Sequence, residues 1–259
     1  MSIHEIVLDD GGMNLLSTAM LERIGSEVSR LRGLAATHAP QPHDRELQSC
    51  LVAEQPCNPA TEQPSTEQPR DRETPQPLLV LRSGRPHLFA AGADMAEMRG
   101  FGAGDAEKLA RLGQEVMATI ERLPFVTVAI IDGDCFGGAL DLALAFDLRF
   151  ATPASRFSHP GAKIGIVTGF GGTSRWRKVL APSAAKQLFL GNRILTAETA
   201  LSIGLVDRID DSFDDELQRL AALDPNKTRL LKELSAHDQR LTASQRLLLA
   251  ARLARLYDQ

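Results

Sequence analysis

The chain has 259 residues, 43% of them apolar and 24% charged, with a formal net charge of -4. That is length enough for one large domain or two small ones, with a core that needs no disulfide staples. Mild acidity without a long basic run argues against nucleic acid or an anionic membrane as the main partner, because both select clustered Lys and Arg.

The first residues, MSIHEIVLDD, carry no positive leader and no apolar core, and no stretch nears the ~18 apolar residues of a membrane span. A cytoplasmic location is the expectation. Cys50, Cys57 and Cys135 are an odd count without metal-ligand spacing, which implies neither a disulfide framework nor a metal site.

In chain order, IHEIVL (residues 3–8) reads as a short strand. STAMLERIGSEVSRLRGL then places Met20, Ile24, Val28 and Leu31 on one helical stripe, with Ser17 as its N-cap. From about His38 to Pro77 the chain is rich in Pro, Gln, Thr and Glu and repeats the tripeptide EQP. Such a composition buries little, so this segment is expected to be a disordered insertion in a loop.

Order resumes at PLLVLRSG, a buried strand, followed by HLFAAGADMAEM. Residues 105–122 carry a helical stripe through Leu109, Leu112, Val116 and Ile120. VTVAIIDG is a strand, FGGALDLALAF turns into a helix, and LRFAT is a strand again. This alternation predicts an α/β fold with parallel pairing and crossover helices. Strand signals stop after about Leu205, so the expected division is a core over 1–209 and a helical region over 210–259, broken near Asp224 by DPN. The basic end, RLLLAARLARLYDQ, reads as a helix with a solvated face.

Two turns of small residues stand between strand and helix: AAGAD (Ala90 to Asp94) and CFGGAL (Cys135 to Leu140). Each can present unpaired N–H groups to a ligand at the positive end of a helix, and two such turns together could hold an oxyanion. Small-residue turns also serve close packing, and neither is a Rossmann or P-loop fingerprint. Asp141 sits in an apolar run just after the second turn. In a first helical turn its charge could simply complement the helix dipole.

FAAGAD, IDGDCFGGALDLALAFDLRFA, RFSHPGAKIGIVTGFGGTSR and GNRILTAETALSIGLVDRI, in that order, resemble the crotonase, or enoyl-CoA hydratase/isomerase, superfamily. The resemblance runs from about Leu78 to Ile209 and returns in MNLLSTAMLERI. It implies a crotonase-like spiral of β-β-α units, a homotrimer or homohexamer, and an acyl-CoA substrate, with no cofactor beyond the coenzyme A moiety.

By that resemblance the thioester oxygen lies between the N–H groups of Ala93 and Gly138. Ala91 and Asp94 match positions whose backbone follows the adenine end of coenzyme A. Asp141 stands where the hydratases carry one catalytic glutamate, and Gly161 stands where they carry the second. His159, an imidazole suited to acid/base work near neutral pH, could substitute for that second group or be a structural histidine. Ser158 lacks the GxSxG elbow of a serine hydrolase. Three readings stay open: a double-bond isomerase with one acid/base, a hydratase using Asp141 with His159 or water, and a catalytically silent acyl-CoA binder or assembly partner.

Overall fold

The computed structural model describes residues 2–36 and 77–237. Its first elements are strands β1 (Ser2–Leu8) and β2 (Leu15–Leu16) and helix α1 (Thr18–Ala36). The Ser17 hydroxyl accepts the Met20 N–H at 3.2 Å, as an N-cap does. Met20, Ile24, Val28 and Leu31 are buried, so the helical stripe faces the core.

Three strand–strand–helix repeats follow. In the first, β3 (Pro77–Ser83) and β4 (Leu88–Ala90) lead through β5 (Gly92–Ala93) and α2 (Met95–Met98) to α3 (Ala103–Glu121). In the second, β6 (Thr127–Ile131) and β7 (Asp134–Phe136) lead to α4 (Gly138–Ala143). In the third, β8 (Leu148–Ala151) and β9 (Arg156–Ser158) lead through a 3₁₀ turn (Pro160–Ile164) to α5 (Gly172–Val179).

The first strand of every repeat joins one sheet and the second joins another. The five-stranded sheet runs β1-β3-β6-β8-β11, and the four-stranded sheet runs β10-β9-β7-β4. All pairs of the larger sheet are parallel, and only β10 with β9 is antiparallel in the smaller. Parallel pairing forces crossovers, and the helices supply them on the faces of the sheet.

The chain continues through α6 (Pro182–Gly191), β10 (Leu195–Thr196), α7 (Ala197–Ser202), β11 (Arg208–Ile209), α8 (Asp214–Ala221) and α9 (Pro225–His237). The expected α/β alternation is therefore present, with two corrections. Strands do not stop at Leu205, because β11 pairs with β8. Several two- and three-residue strands, β7 and β9 among them, have no visible period because so short a segment shows too few side chains to alternate.

The expected disorder of 38–77 falls outside the described residues, apart from Pro77, which opens β3. The reading of the basic C-terminal end also lies outside them. Among the described residues, no helix is long and apolar enough to cross a membrane.

Candidate active site

The two small-residue turns, distant in sequence, meet because the strands that lead into them, β4 and β7, pair in parallel, and the chain before α1 braces the first turn. β2 runs parallel to β5, with Leu15 opposite Gly92 and Leu16 opposite Ala93. Asn14, fully buried at a left-handed φ of 50°, anchors this pairing by donating from Nδ2 to the Phe89 carbonyl at 3.0 Å and to the Ser83 hydroxyl at 2.8 Å. The Ala91 N–H is taken by the Met13 carbonyl at 3.1 Å. Glu97 then accepts from the N–H and hydroxyl of Thr18, tying α2 to the start of α1.

Gly92 has φ +103°, and a Cβ there would stand 2.7 Å from the Phe136 carbonyl oxygen and 3.1 Å from the Gly138 nitrogen. Only glycine fits that approach. Across the gap, a Cβ at Gly138 would lie 3.4 Å from the Ala93 nitrogen. The Ala93 and Gly138 amides are thus neighbours. Gly138 is the first residue of α4, so its N–H has no partner inside the helix.

These turns open on a cavity of about 280 Å³ whose walls include Ala91, Ala93, Gly138, His159, Thr168 and Phe170. Ile164 and Val167 also line it and are themselves exposed, so the cavity is open to solvent on that side. Asp94 does something else: its carboxylate N-caps α2, accepting the N–H of Ala96 at 2.9 Å and of Glu97 at 3.0 Å.

Asp141 lies behind the wall, fully buried. Its Oδ2 accepts a hydrogen bond from the Thr168 hydroxyl, and its Oδ1 faces His159 Nε2 at 3.4 Å. Among the described residues, neither Oδ1 nor Nε2 has a hydrogen-bond partner. Burying a carboxylate is costly, and two features offset that cost here. The positive end of α5 abuts it, since a Cβ at Gly172, the first residue of α5, would collide with the carboxylate. Imidazole stands ready on the other side. Cys135 is an inert neighbour: burial pushes its thiol well above the usual range, and the carboxylates of Asp141 and Asp134 add to the effect.

His159 is therefore the member of the pair that reaches the cavity. Its ring rests on Phe189 of α6, centroids 4.5 Å apart. Nε2 is turned to Asp141, and Nδ1 lies on the side of Gly161, another residue of the cavity wall: a Cβ at Gly161 would stand 3.4 Å from it. Gly161 brings no second carboxylate, and its place is crowded: a Cβ there would stand 2.7 Å from the Ile166 carbonyl oxygen and 3.3 Å from the His159 ring.

Sequence reasoning singled out Ala93, Gly138, Asp141 and His159, and the fold brings these four together. Thr168, Phe170 and Phe189 were missed. A threonine or phenylalanine in a glycine-rich loop carries no spacing signal, and only the packing of the 165–171 loop against α3 and α4 gives them a place. Gln114 of α3 holds that loop through the Gly169 carbonyl at 2.6 Å, and buried Arg175 holds it through the Phe170 carbonyl at 2.8 Å.

A parallel α/β spiral with two backbone N–H groups beside a buried carboxylate and imidazole is an arrangement that can hold a developing oxyanion. The family model described as enoyl-CoA hydratase/isomerase matches residues 72–255, and the chain belongs to that family. It is 33% identical over 160 residues to a crotonyl-CoA hydratase of Syntrophomonas wolfei, covering 61% of this chain and 62% of that protein. It is 36% identical over 143 residues to the enoyl-CoA isomerase/hydratase fer4 of Mycosarcoma maydis, covering 55% and 52%. The matches thus span between about half and three fifths of these relatives' length. The solved enoyl-CoA hydratase of Thermoplasma volcanium superposes with a TM-score of 0.75 at 19% identity, over 99% of this chain and 89% of that one, which bears on the fold alone.

Proposed function

We propose that the protein acts on an enoyl-CoA thioester as a hydratase or double-bond isomerase, with the thioester oxygen between the N–H groups of Ala93 and Gly138. The observation that carries this reading is the juxtaposition of those two amides with the cavity-facing edge of His159. The acid/base unit is the single carboxylate of Asp141 working through the His159 imidazole. In isomerisation of a 3-enoyl thioester, His159 Nδ1 takes a proton from C2, the electron pair passes to the thioester oxygen as a dienolate, and the proton returns at C4. The N–H pair stabilises the dienolate. In hydration of a 2-enoyl thioester, water adds its oxygen at C3 and a proton arrives at C2.

The reading extends to the rest of the ligand and to the assembly. Ala91 and Asp94 follow the adenine end of coenzyme A with their backbone, no cofactor beyond the coenzyme is needed, and the protein works as a cytoplasmic homotrimer or homohexamer. Fractionation and light scattering read the last two.

The test is absorbance. Hydration consumes the conjugated chromophore of a 2-enoyl thioester, and isomerisation of a 3-enoyl thioester creates it. A protein that binds acyl-CoA and gives neither change is instead a silent binder, the reading favoured by the crowding at Gly161, where no second carboxylate fits.

A further inference from the structure

We propose that Thr168 is a positioning residue that locks the Asp141 carboxylate so that its free oxygen faces His159 and fixes the imidazole as the Nε2–H tautomer, with Nδ1 presented to the cavity. This rests on the functional reading above for its catalytic consequence, but not for its structural content.

Thr168 makes two contacts with one hydroxyl. It donates to Asp141 Oδ2, and it accepts the Phe170 N–H at 3.3 Å. A hydroxyl has one proton to give, so the incoming N–H commits that proton to the carboxylate. Asp141 has no other hydrogen bond that would decide its rotation: Oδ1 has no partner within hydrogen-bond geometry. A carboxylate pinned at one oxygen and packed against Gly172 has a single direction left for the other, and His159 Nε2 lies there at 3.4 Å. A neutral imidazole beside a carboxylate keeps its proton on the nitrogen facing it, which makes the opposite nitrogen the acceptor.

The groups facing the pair are few. Cys135 is buried nearby and held protonated, Phe189 covers the ring of His159, and Phe170 lies between Gly113 and Gly138. None of these offers Asp141 a second strong donor. Among the described residues Thr168 supplies the hydrogen bond that sets its orientation, with Gly172 packed against it, and the loop that carries Thr168 is itself held to α3 through Gln114 and Gly169.

The experiment compares Thr168→Val, Thr168→Ala and Thr168→Ser with the wild type by two readouts: the ¹⁵N signals of the His159 ring, which distinguish its tautomers without any substrate, and kcat and KM on enoyl-CoA. The expected result is a wild type with one Nε2–H species and mixed tautomers in T168V and T168A. With these comes a fall in kcat of roughly tenfold or more at little-changed KM, the range of a misplaced acid/base group, and recovery of both properties in T168S. A single wild-type-like Nε2–H signal in T168V overturns the proposal, as does loss of the fold in both T168V and T168A, which would make the residue structural. If the wild type turns over no enoyl-CoA, the functional reading fails, and the ring signals still decide whether Thr168 orients the pair.

Discussion

The two faces of the five-stranded sheet differ in how they surround their buried charges. On the face covered by α8, Leu78, Val80, Val128 and Phe150 pack against Phe213, Leu217 and Leu220, with the rings of Phe150 and Phe213 stacked at 5.1 Å. Two cations near this cluster and at the edge of the sheet have several partners each, whereas Arg82 leaves its buried Nε without a hydrogen-bond partner. Lys232 of α9, pulled below the usual lysine range by burial, donates to the Phe125 carbonyl at 2.8 Å and to Asp147 at 2.6 Å. Buried Arg149 reaches Leu205, Phe146 and Asp207. On the other side, the site leaves Asp141 Oδ1 and His159 Nε2 without hydrogen bonds in a fully buried place. Native interiors seldom leave such groups open; Arg82 and Arg85 each leave an Nε so, but Asp141 and His159 are two open groups that face each other beside the cavity.

The largest expected effect breaks the open pair. His159→Gln should lower kcat by about 10²–10⁴ while acyl-CoA binding survives, and Asp141→Asn should fall in the same direction. On the proposal that the two act as one unit, the double variant should be little slower than H159Q alone. Additive losses in steady-state kinetics would show that each works independently.

Next comes the proposed oxyanion donor. Gly138→Pro removes one N–H and should cost roughly 10²–10³ in kcat. Its Cβ also presses on Phe170, 2.9 Å from that position, so Gly138→Ala, which crowds the ring equally but keeps the N–H, is the partner variant. A G138A rate as low as that of G138P, with both folded by circular dichroism, would assign the loss to Phe170 and not to the donor.

On the face covered by α8 the expected effect is on stability. Phe213→Ala opens a cavity beside Phe150 and should lower unfolding stability by about 3 kcal/mol in urea titration, with kcat unchanged in the fraction that remains folded. A specific rate loss there would erase the contrast between the two faces.

The smallest effect concerns the loop that delivers β2 to the site. Burial acts to raise the Asp10 carboxyl, and the N–H groups of Leu15, Asn14 and Gly12 outweigh it, holding the group below the usual aspartate range. Its stabilising contribution is therefore present above the unfolded value near 3.8 and is lost as pH falls through the lower folded value. Thermal melts between pH 5 and 3 should show a slightly shallower decline for Asp10→Asn than for the wild type.

Much of this molecule is legible without coordinates. The stripes Met20-Ile24-Val28-Leu31 and Leu109-Val116-Ile120 are long enough for a 3.6-residue period to show, and both face the core. The glycine turns are legible because backbone that must approach backbone admits few other residues. Asp141 stands out because a carboxylate among apolar neighbours is rare, and His159 because an imidazole stands two residues before the missing carboxylate.

Tertiary structure decided the rest. Strands of two or three residues have no period to read, and they exist because neighbouring strands supply their hydrogen bonds. Asp141 and His159 are 18 positions apart in sequence, and nothing in either one's neighbourhood says that the imidazole faces the cavity while the carboxylate stands behind it. That order follows from α4 turning Asp141 inward against the N-terminus of α5, and from a loop that brings the hydroxyl of Thr168 to its second oxygen. Composition and periodicity determine which side chains must be buried. Which buried polar group meets which is set by the crossing of elements far apart in the chain, because hydrogen bonds and ion pairs act over a few ångströms of space and have no register in sequence.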